Sequence, residues 1–342
     1  MVDFAGHLMP LQYSSILAEH YAVRKSAGMF DVSHMGRLLF RGSSALDWLD
    51  RLLTCRLRDM AEGQARYSLV CSEAGGVIDD VLVTRWPDAW GLVVNASNHA
   101  AMLDWLIAHR PSGAKLEDIT QETAMLAVQG PAWRGACPGS IVSIVEGLGN
   151  YRGRMAQLGG SAWRVSRTGY TGEDGIEIVA PAESAISLAD SFLAAGVAPC
   201  GLGSRDTLRL EAGMPLHGHE LDSATDPFQA GLGRSVDMEK DFVGRQALVS
   251  RMDDATLPVR VGIRLEGRRA ARQGDAVMDK SGKPIGKVTS GAFSPTLGYP
   301  VAMAYLDRRH APSGNVVSLS VRESMLDGTV CPLPFYKREK RG

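Results

Sequence analysis

The chain has 342 residues, enough for two or three domains at roughly 100–200 residues each. Its formal net charge is −1, so broad affinity for nucleic acid or for an acidic membrane surface is not implied. No run of about 18 apolar residues occurs, so no helical membrane span is expected, and the start MVDFAGHLMP lacks the basic n-region and apolar core of a secretory signal.

The first predicted element is a helix over residues 14–29, where Ile16, Leu17, Tyr21 and Val23 fall near helical spacing before Gly28. Residues 30–41 (FDVSHMGRLLFR) read as one strand, and residues 43–53 as a helix with a Ser cap and early Asp. Residues 66–83 read as two strands joined by a turn at Ala74–Gly76, followed by a strand at 91–95 and an amphipathic helix at 100–109. Further strands are expected at 116–119, 124–128 and 161–166, and helices at 183–195 and 204–212. Strand pairs mixed with single helices give an α+β class with antiparallel sheets.

After about residue 253 the pattern changes to short strands (259–265, 276–278, 284–290, 302–306, 316–321) separated by Gly, Pro and Asp turns. That is the signature of a small β-barrel or sandwich. The expected division is therefore 1–252 and 253–342, with the linker near 250–256 and a basic tail at 336–342. The five cysteines (Cys55, Cys71, Cys137, Cys200, Cys331) are odd in number and scattered, which argues for reduced thiols in a cytoplasm over a disulfide framework or a CxxC metal site.

Three stretches could carry chemistry. In GGVIDD (75–80) two glycines permit a tight turn, and two adjacent carboxylates follow on an apolar strand. Neighbouring strand residues point to opposite faces, so one of Asp79 and Asp80 can face a given cleft. A buried carboxylate there needs a partner or a task; the plainer alternative is a turn-capping Asp beside a solvated one. In TGYTGEDGIE (168–177) three glycines punctuate polar groups ahead of a strand, which suits either a binding loop or a Gly-rich hairpin. In GLGSRDTLRLEAG (201–213), Ser204 can cap a helix, and Arg205 stands at its start, where the helix dipole disfavours a cation. His217, His219 and Glu220 lack the spacing of a helical metal site and read as a loop pair, so no metal is expected.

Together these stretches resemble the glycine cleavage system T-protein family, the aminomethyltransferases. The resemblance runs in order through DFAGHLMPLQY (3–13), EHYAVRKSAGMFDVSHMG (19–36), ARYSLVCSEAGGVIDD (65–80), VVNASN (93–98), LAVQGP (126–131) and RTGYTGEDGIEI (167–178). It continues through GLGSRDTLRLEAGMPLHGHELD (201–222), KDFVGRQAL (240–248), VTSGAFSPTLGYPVAMAYL (288–306) and LPFYK (333–337). It implies a three-lobed fold: two α+β lobes interleaved in sequence, the second at roughly 48–125 within 1–252, and a C-terminal β-barrel, around a folate channel.

The implied reaction passes the methylene carbon of an aminomethyl group on the lipoyl arm of H-protein to tetrahydrofolate. Ammonia leaves, and 5,10-methylenetetrahydrofolate forms. The resemblance matches Asp80 to the family's key carboxylate, with Asp79 facing away, Glu177 to the pterin-contacting acid, and Arg205 to a folate-binding arginine. Tyr67, Asn95 and Tyr170 match channel-lining positions, and Tyr336 a residue reaching the folate tail. Arg268, Arg269, Arg272 and the 337–341 tail could steer an acidic partner face, or form an ordinary basic surface.

There are departures. His7 stands at a usual Trp, Gln229 at a common Glu and Arg234 at a common Trp, and the chain starts later than the family usually does, which bears on the channel wall and on H-protein docking. A related tetrahydrofolate-dependent demethylase of another methylated amine or sulfonium is the second reading. A non-catalytic folate protein of iron–sulfur assembly would carry a Cys in a KGCYxGQE-like stretch, and KDFVGRQA (240–247) has none.

Overall fold

The computed structural model describes residues 1–322 and 324–339. One sheet has six strands in the order Gly153–Leu158, Ser161–Ser166, Gly175–Pro181, Thr123–Gln129, Gly28–Asp31 and Ala198–Pro199. Its neighbours are antiparallel except the last pair, which is parallel. A second, wholly antiparallel sheet has five strands: Ala65–Cys71, Val77–Arg85, Trp90–Val94, Gly36–Arg41 and Lys115–Asp118. The third is a closed six-stranded barrel in the order Val259–Leu265, Tyr299–Leu306, Pro284–Ser294, Ala276–Met278, Val316–Val321 and Ser324–Cys331, the last pairing back onto the first. The three-lobed α+β architecture with a C-terminal barrel is therefore present.

The interleaving arises where residues 30–41, read as one strand, break into two. Gly28–Asp31 belongs to the six-stranded sheet and Gly36–Arg41 to the five-stranded one. Buried Arg37 staples this crossing to the return crossing. Its guanidinium donates to the carbonyls of Ser33 (2.9 Å) and Met35 (2.6 Å) on one side, and to those of Thr120 and Thr123 (2.8 Å) on the other. A buried cation is tolerated there because its donors are spent on main-chain oxygens.

Other boundaries shift for local reasons. The first helix is Ile16–Lys25, capped by the Ser15 hydroxyl, which accepts from Ala18 N at 3.2 Å. It stops before Gly28, which the six-stranded sheet claims. A Cβ at Gly28 would lie 2.5 Å from Val23 Cγ2 and 2.7 Å from Cys200 Sγ. The next helix is Ala45–Leu52; Ser44 does not cap it, because its hydroxyl donates to the Ser112 carbonyl at 3.1 Å instead. The helix expected from Ser204 starts at Leu202 and runs to Glu211, and Ser204 is buried inside its first turn, donating to Gly201 O at 2.9 Å. The helices Gly139–Val145 and Arg245–Arg251 and the strands Gly153–Leu158 and Ser324–Cys331 escaped the periodicity reading.

Each lobe has its own apolar core. Trp48, Leu49, Leu52, Val81 and Val83 pack under the five-stranded sheet, and Trp133, Ile141, Ile176, Ile178 and Phe192 under the six-stranded one. Ile263, Val277, Leu306 and Leu319 fill the barrel. Each such side chain contributes about 1.5–3 kcal/mol through burial.

A polar clamp joins the elements at the centre. Arg24 donates to Glu211 (2.8 Å) and Glu173 (3.0 Å), and stacks 4.0 Å from the Tyr336 ring. Glu211 also takes the hydroxyls of Thr296 (2.8 Å) and Ser294, from the barrel side. One buried pair thereby ties two helices, the 168–175 loop, the barrel and the C-terminal segment together.

Candidate active site

The GGVIDD turn needs each of its glycines for a different reason. Gly75 adopts φ +85°, and a Cβ at Gly76 would lie 1.8 Å from the Ser223 carbonyl oxygen. That close approach lets Val77 N donate to the carbonyls of Asp222 (3.1 Å) and Thr225 (3.0 Å), fixing where the strand Val77–Arg85 begins.

On that strand Asp80 pairs with Leu69 and Leu82 with Tyr67, which places Tyr67 diagonal to Asp80 on one face. The Tyr67 hydroxyl donates to Asp80 Oδ2 at 3.0 Å. Asn95 lies just past the end of the neighbouring strand Trp90–Val94, and its Nδ2 donates to Asp80 Oδ1 at 2.8 Å. Both oxygens of Asp80 thus have one donor. Burial pushes the Asp80 carboxyl up; the Tyr67 and Asn95 hydrogen bonds and the His217 charge pull it back.

Asp79 points to the opposite face but is not solvated: it is fully buried. Its Oδ1 accepts from Asn95 Nδ2 (2.8 Å) and Asn98 Nδ2 (2.7 Å), and its Oδ2 from Asn95 N (3.1 Å). Burial and then the Asp80 charge push Asp79 up to about 7, against the pull of these donors. The two acids are therefore linked through one amide, which strand alternation alone did not reveal.

Glu177 sits mid-sheet, paired with Ala127 and Ser166, and is 8% exposed. Its Oε2 accepts the Thr168 hydroxyl, which is in turn held 2.7 Å from Ser166 Oγ. Burial raises the Glu177 carboxyl, offset by the Thr168 bond and the Arg205 charge. Arg205, in the first turn of Leu202–Glu211, lies 4.9 Å from the Tyr170 ring and 6.0 Å from that of Phe30. Burial lowers its pKa, countered by Glu177 and Tyr170. The Tyr170 hydroxyl donates to the Pro215 carbonyl. Burial drives that phenol well up, against the pull of the Arg209 and Arg205 charges and with the push of Asp80.

The structure thus brings Tyr67, Asp80 and Asn95 into direct contact, and Glu177, Arg205 and Tyr170 into a second cluster beside them. Tyr336 is held apart. Its hydroxyl donates to Glu173 at 2.8 Å, within the clamp; burial and then Glu173 push it up to about 12.

Sequence reasoning missed several members. Asp79, Asn98 and Thr168 hold the named residues in place, and His217 Nε2 is buried with no hydrogen-bond partner while its charge acts on Asp80. The signal for His217 lay in HGHE, where two histidines and an acid follow closely on the helix that carries Arg205.

A cleft of about 550 Å³ opens beside Tyr67, lined among others by Arg56, Arg66, Tyr151, Arg234 and Asp237. Neither Asp80 nor Glu177 lines it; Tyr67 is the link. Arg56 pairs with Asp237 and Glu239 (3.0 Å), and Arg66 with Asp59 (2.8 Å), whereas Arg234 is exposed and forms no ion pair among the described residues. Of the three arginines proposed to steer a partner, Arg269 donates to Ser324 Oγ and Arg272 to the Gly291 carbonyl, both at 2.8 Å. Lys340 and Arg341 of the tail lie outside the described residues.

Residues 1–240 match the GCVT N-terminal domain, and residues 259–337 the glycine cleavage T-protein C-terminal barrel domain. The chain is 46% identical to an aminomethyltransferase of Streptomyces coelicolor over 99% of its own length and 94% of the relative's. It is 41% identical to one from Thermotoga neapolitana, covering 100% of this chain and 95% of that one. A crystal structure of glycine cleavage system aminomethyltransferase T from Bartonella henselae superposes with a TM-score of 0.92 at 34% identity, over 98% of this chain and 94% of that chain.

Proposed function

The chain belongs to the glycine cleavage T-protein family and is a tetrahydrofolate-dependent aminomethyltransferase; from that premise we propose how its own residues carry the reaction. The substrates are tetrahydrofolate and the aminomethylated lipoyl arm of H-protein. The carbon–sulfur and carbon–nitrogen bonds of the donor break, and the carbon becomes bonded to two folate nitrogens. The two protons those nitrogens give up end on the departing amine and thiol.

Asp80 is the residue that meets the reacting carbon. A carboxylate beside a developing iminium-like cation stabilises it by charge, and a raised pKa makes that carboxylate a better proton acceptor. Tyr67 and Asn95 fix its plane.

Tetrahydrofolate fits groups that the protein leaves unspent. Among the described residues only the Thr168 hydroxyl donates to Glu177, at Oε2, so Oε1 is available to the amino-pyrimidinone edge of the pterin. The Arg205 guanidinium, stacked on Tyr170, is available to a folate oxygen. The arginine-lined cleft beside Tyr67 suits the glutamyl carboxylates, with unpaired Arg234 as the first contact. Tyr336, through Glu173, holds the loop that carries Tyr170 and Glu177.

The observation that carries this reading is the Asp80 carboxylate with a donor on each oxygen, Tyr67 on one and Asn95 on the other. The test is a mass balance. Incubated with aminomethylated, lipoylated H-protein and tetrahydrofolate, the enzyme should yield ammonia and 5,10-methylenetetrahydrofolate one for one, and nothing with unlipoylated H-protein. Turnover of a methylated amine or sulfonium in place of H-protein would instead favour the demethylase reading.

A further inference from the structure

Asn95 is shared by two carboxylates in a way that gives its amide a direction. Its side-chain nitrogen has two hydrogens, and Asp79 Oδ1 and Asp80 Oδ1 both lie 2.8 Å away. Turning the amide over would set its oxygen against two carboxylate oxygens, so the orientation is fixed by the acids around it. Asp80 receives that nitrogen at Oδ1 and, at 3.1 Å, at its main-chain carbonyl, whereas Asp79 alone holds Asn95 by both its side chain and its main chain. One oxygen of Asp79 takes the Asn95 side chain, and the other takes the Asn95 main-chain N–H at 3.1 Å. Asn98 Nδ2, at 2.7 Å from Asp79 Oδ1 and 3.2 Å from the Ile78 carbonyl, braces that carboxylate from the other side.

The burial of Asp79 has no packing rationale of its own. It stands in the row of Val81 and Val83, both buried core residues, where a valine would cost far less. Its three donors are all N–H groups, and two of them belong to the one residue that reaches round to Asp80.

We propose that Asp79 is the positioning residue of this site: its buried carboxylate clasps Asn95 at both the main-chain and the side-chain N–H, and so aims the second amide hydrogen at Asp80. The inference rests on the reading of Asp80 as the catalytic carboxylate. Asp79 itself never touches substrate. Asp79→Asn keeps the shape but puts an NH₂ group where Asp79 now accepts, facing either the Asn95 amide or its main-chain N–H. Either way one of the two contacts that orient Asn95 is lost, and its donation to Asp80 Oδ1 is loosened.

The experiment is a double-mutant cycle in H-protein-dependent ammonia release, with Asp79→Asn, Asn95→Ala and both together, read as kcat and KM for tetrahydrofolate. Asp79→Asn should lower kcat about ten- to hundredfold, the range of coupling through one contact network, and leave KM within about twofold. In the Asn95→Ala background the same substitution should change kcat by less than about twofold, because the residue it acts through is gone. Losses that multiply, or a change in KM without kcat, would overturn the inference. If Asp79→Asn does not fold, Asn98→Ala replaces it in the cycle. It removes one brace from Asp79 and should cost about two- to fivefold in kcat, again only while Asn95 is present; an undiminished loss without Asn95, or no loss with it, also overturns the inference. An Asp80→Asn control separates the two claims. Wild-type turnover in that control removes the catalytic role of Asp80, whereas collapse there with multiplicative losses in the cycle removes only the role of Asp79.

Discussion

Replacing Glu177 by Gln should weaken tetrahydrofolate binding without slowing the bound complex. The substitution keeps the size of a side chain that is 8% exposed and leaves the sheet pairings with Ala127 and Ser166 intact. What changes is the free oxygen. Oε2 is committed to the Thr168 hydroxyl, so only Oε1 meets a ligand, and in the carboxylate that bond is charge-assisted. Hydrogen bonds to charged groups contribute about 1.5–3 kcal/mol, against about 0.5–1.5 for neutral ones. The difference, about 1–1.5 kcal/mol, is roughly tenfold in affinity, and an amide NH₂ turned toward the ligand's own donors raises the loss to about a hundredfold. Arg205 also loses its negative neighbour, which adds to the cost of holding its guanidinium. Titration of the folate by calorimetry gives Kd, and steady-state ammonia release gives the split. Kd and KM should rise by about ten- to hundredfold together, with kcat at saturation within about twofold. An unchanged Kd would refute the placement of the pterin edge on Glu177, and a collapse of kcat at unchanged Kd would move Glu177 into the chemical step.

Two further outcomes follow from the packing. Burial alone would raise Glu211, but the His20 hydrogen bond and the charges of His20 and Arg24 outweigh it and hold the carboxyl at about 2, from an ordinary 4.5. Its folded pKa is depressed, so its stabilisation is full above the ordinary value and is lost as pH falls from there toward about 2. Glu211→Gln should therefore cost on the order of 3 kcal/mol at neutral pH in urea denaturation, and the gap to wild type should close in acid; a gap that widens in acid contradicts the clamp. Gly76→Ala forces a Cβ to within 1.8 Å of the Ser223 oxygen, so one main chain must move. It should lower stability by on the order of 1–3 kcal/mol and displace Asp80, which thermal melts and turnover read directly.

The parts of this molecule legible in its sequence are those set by local physics. The GGVIDD turn and the strands flanking it follow from glycine conformation and strand alternation, and the barrel from its turn spacing. The motif resemblance reached further, since it assembled Asp80, Glu177 and Arg205 from three separate stretches of the chain. What stayed hidden was set by partners distant in sequence. The break at residues 32–35 is imposed by Arg37 binding carbonyls at 120 and 123. Ser44 and Ser204 look like helix caps, but a tertiary acceptor takes the hydroxyl of one, and the other is buried one turn too late. Asp79 was assigned to the far face correctly, yet alternation says nothing about an asparagine past the end of the next strand joining both acids.

The central claim is that the Asp80 carboxylate meets the reacting carbon, and the most direct measurement is single-turnover carbon transfer by Asp80→Asn, with folate affinity measured on the same preparation. The amide keeps the side chain's size but removes the negative charge that faces the developing cation. The account predicts that transfer falls by about a hundredfold or more while tetrahydrofolate affinity stays within about threefold of wild type. Transfer at the wild-type rate would contradict it, and the cation would then have to be stabilised by some other group in the site.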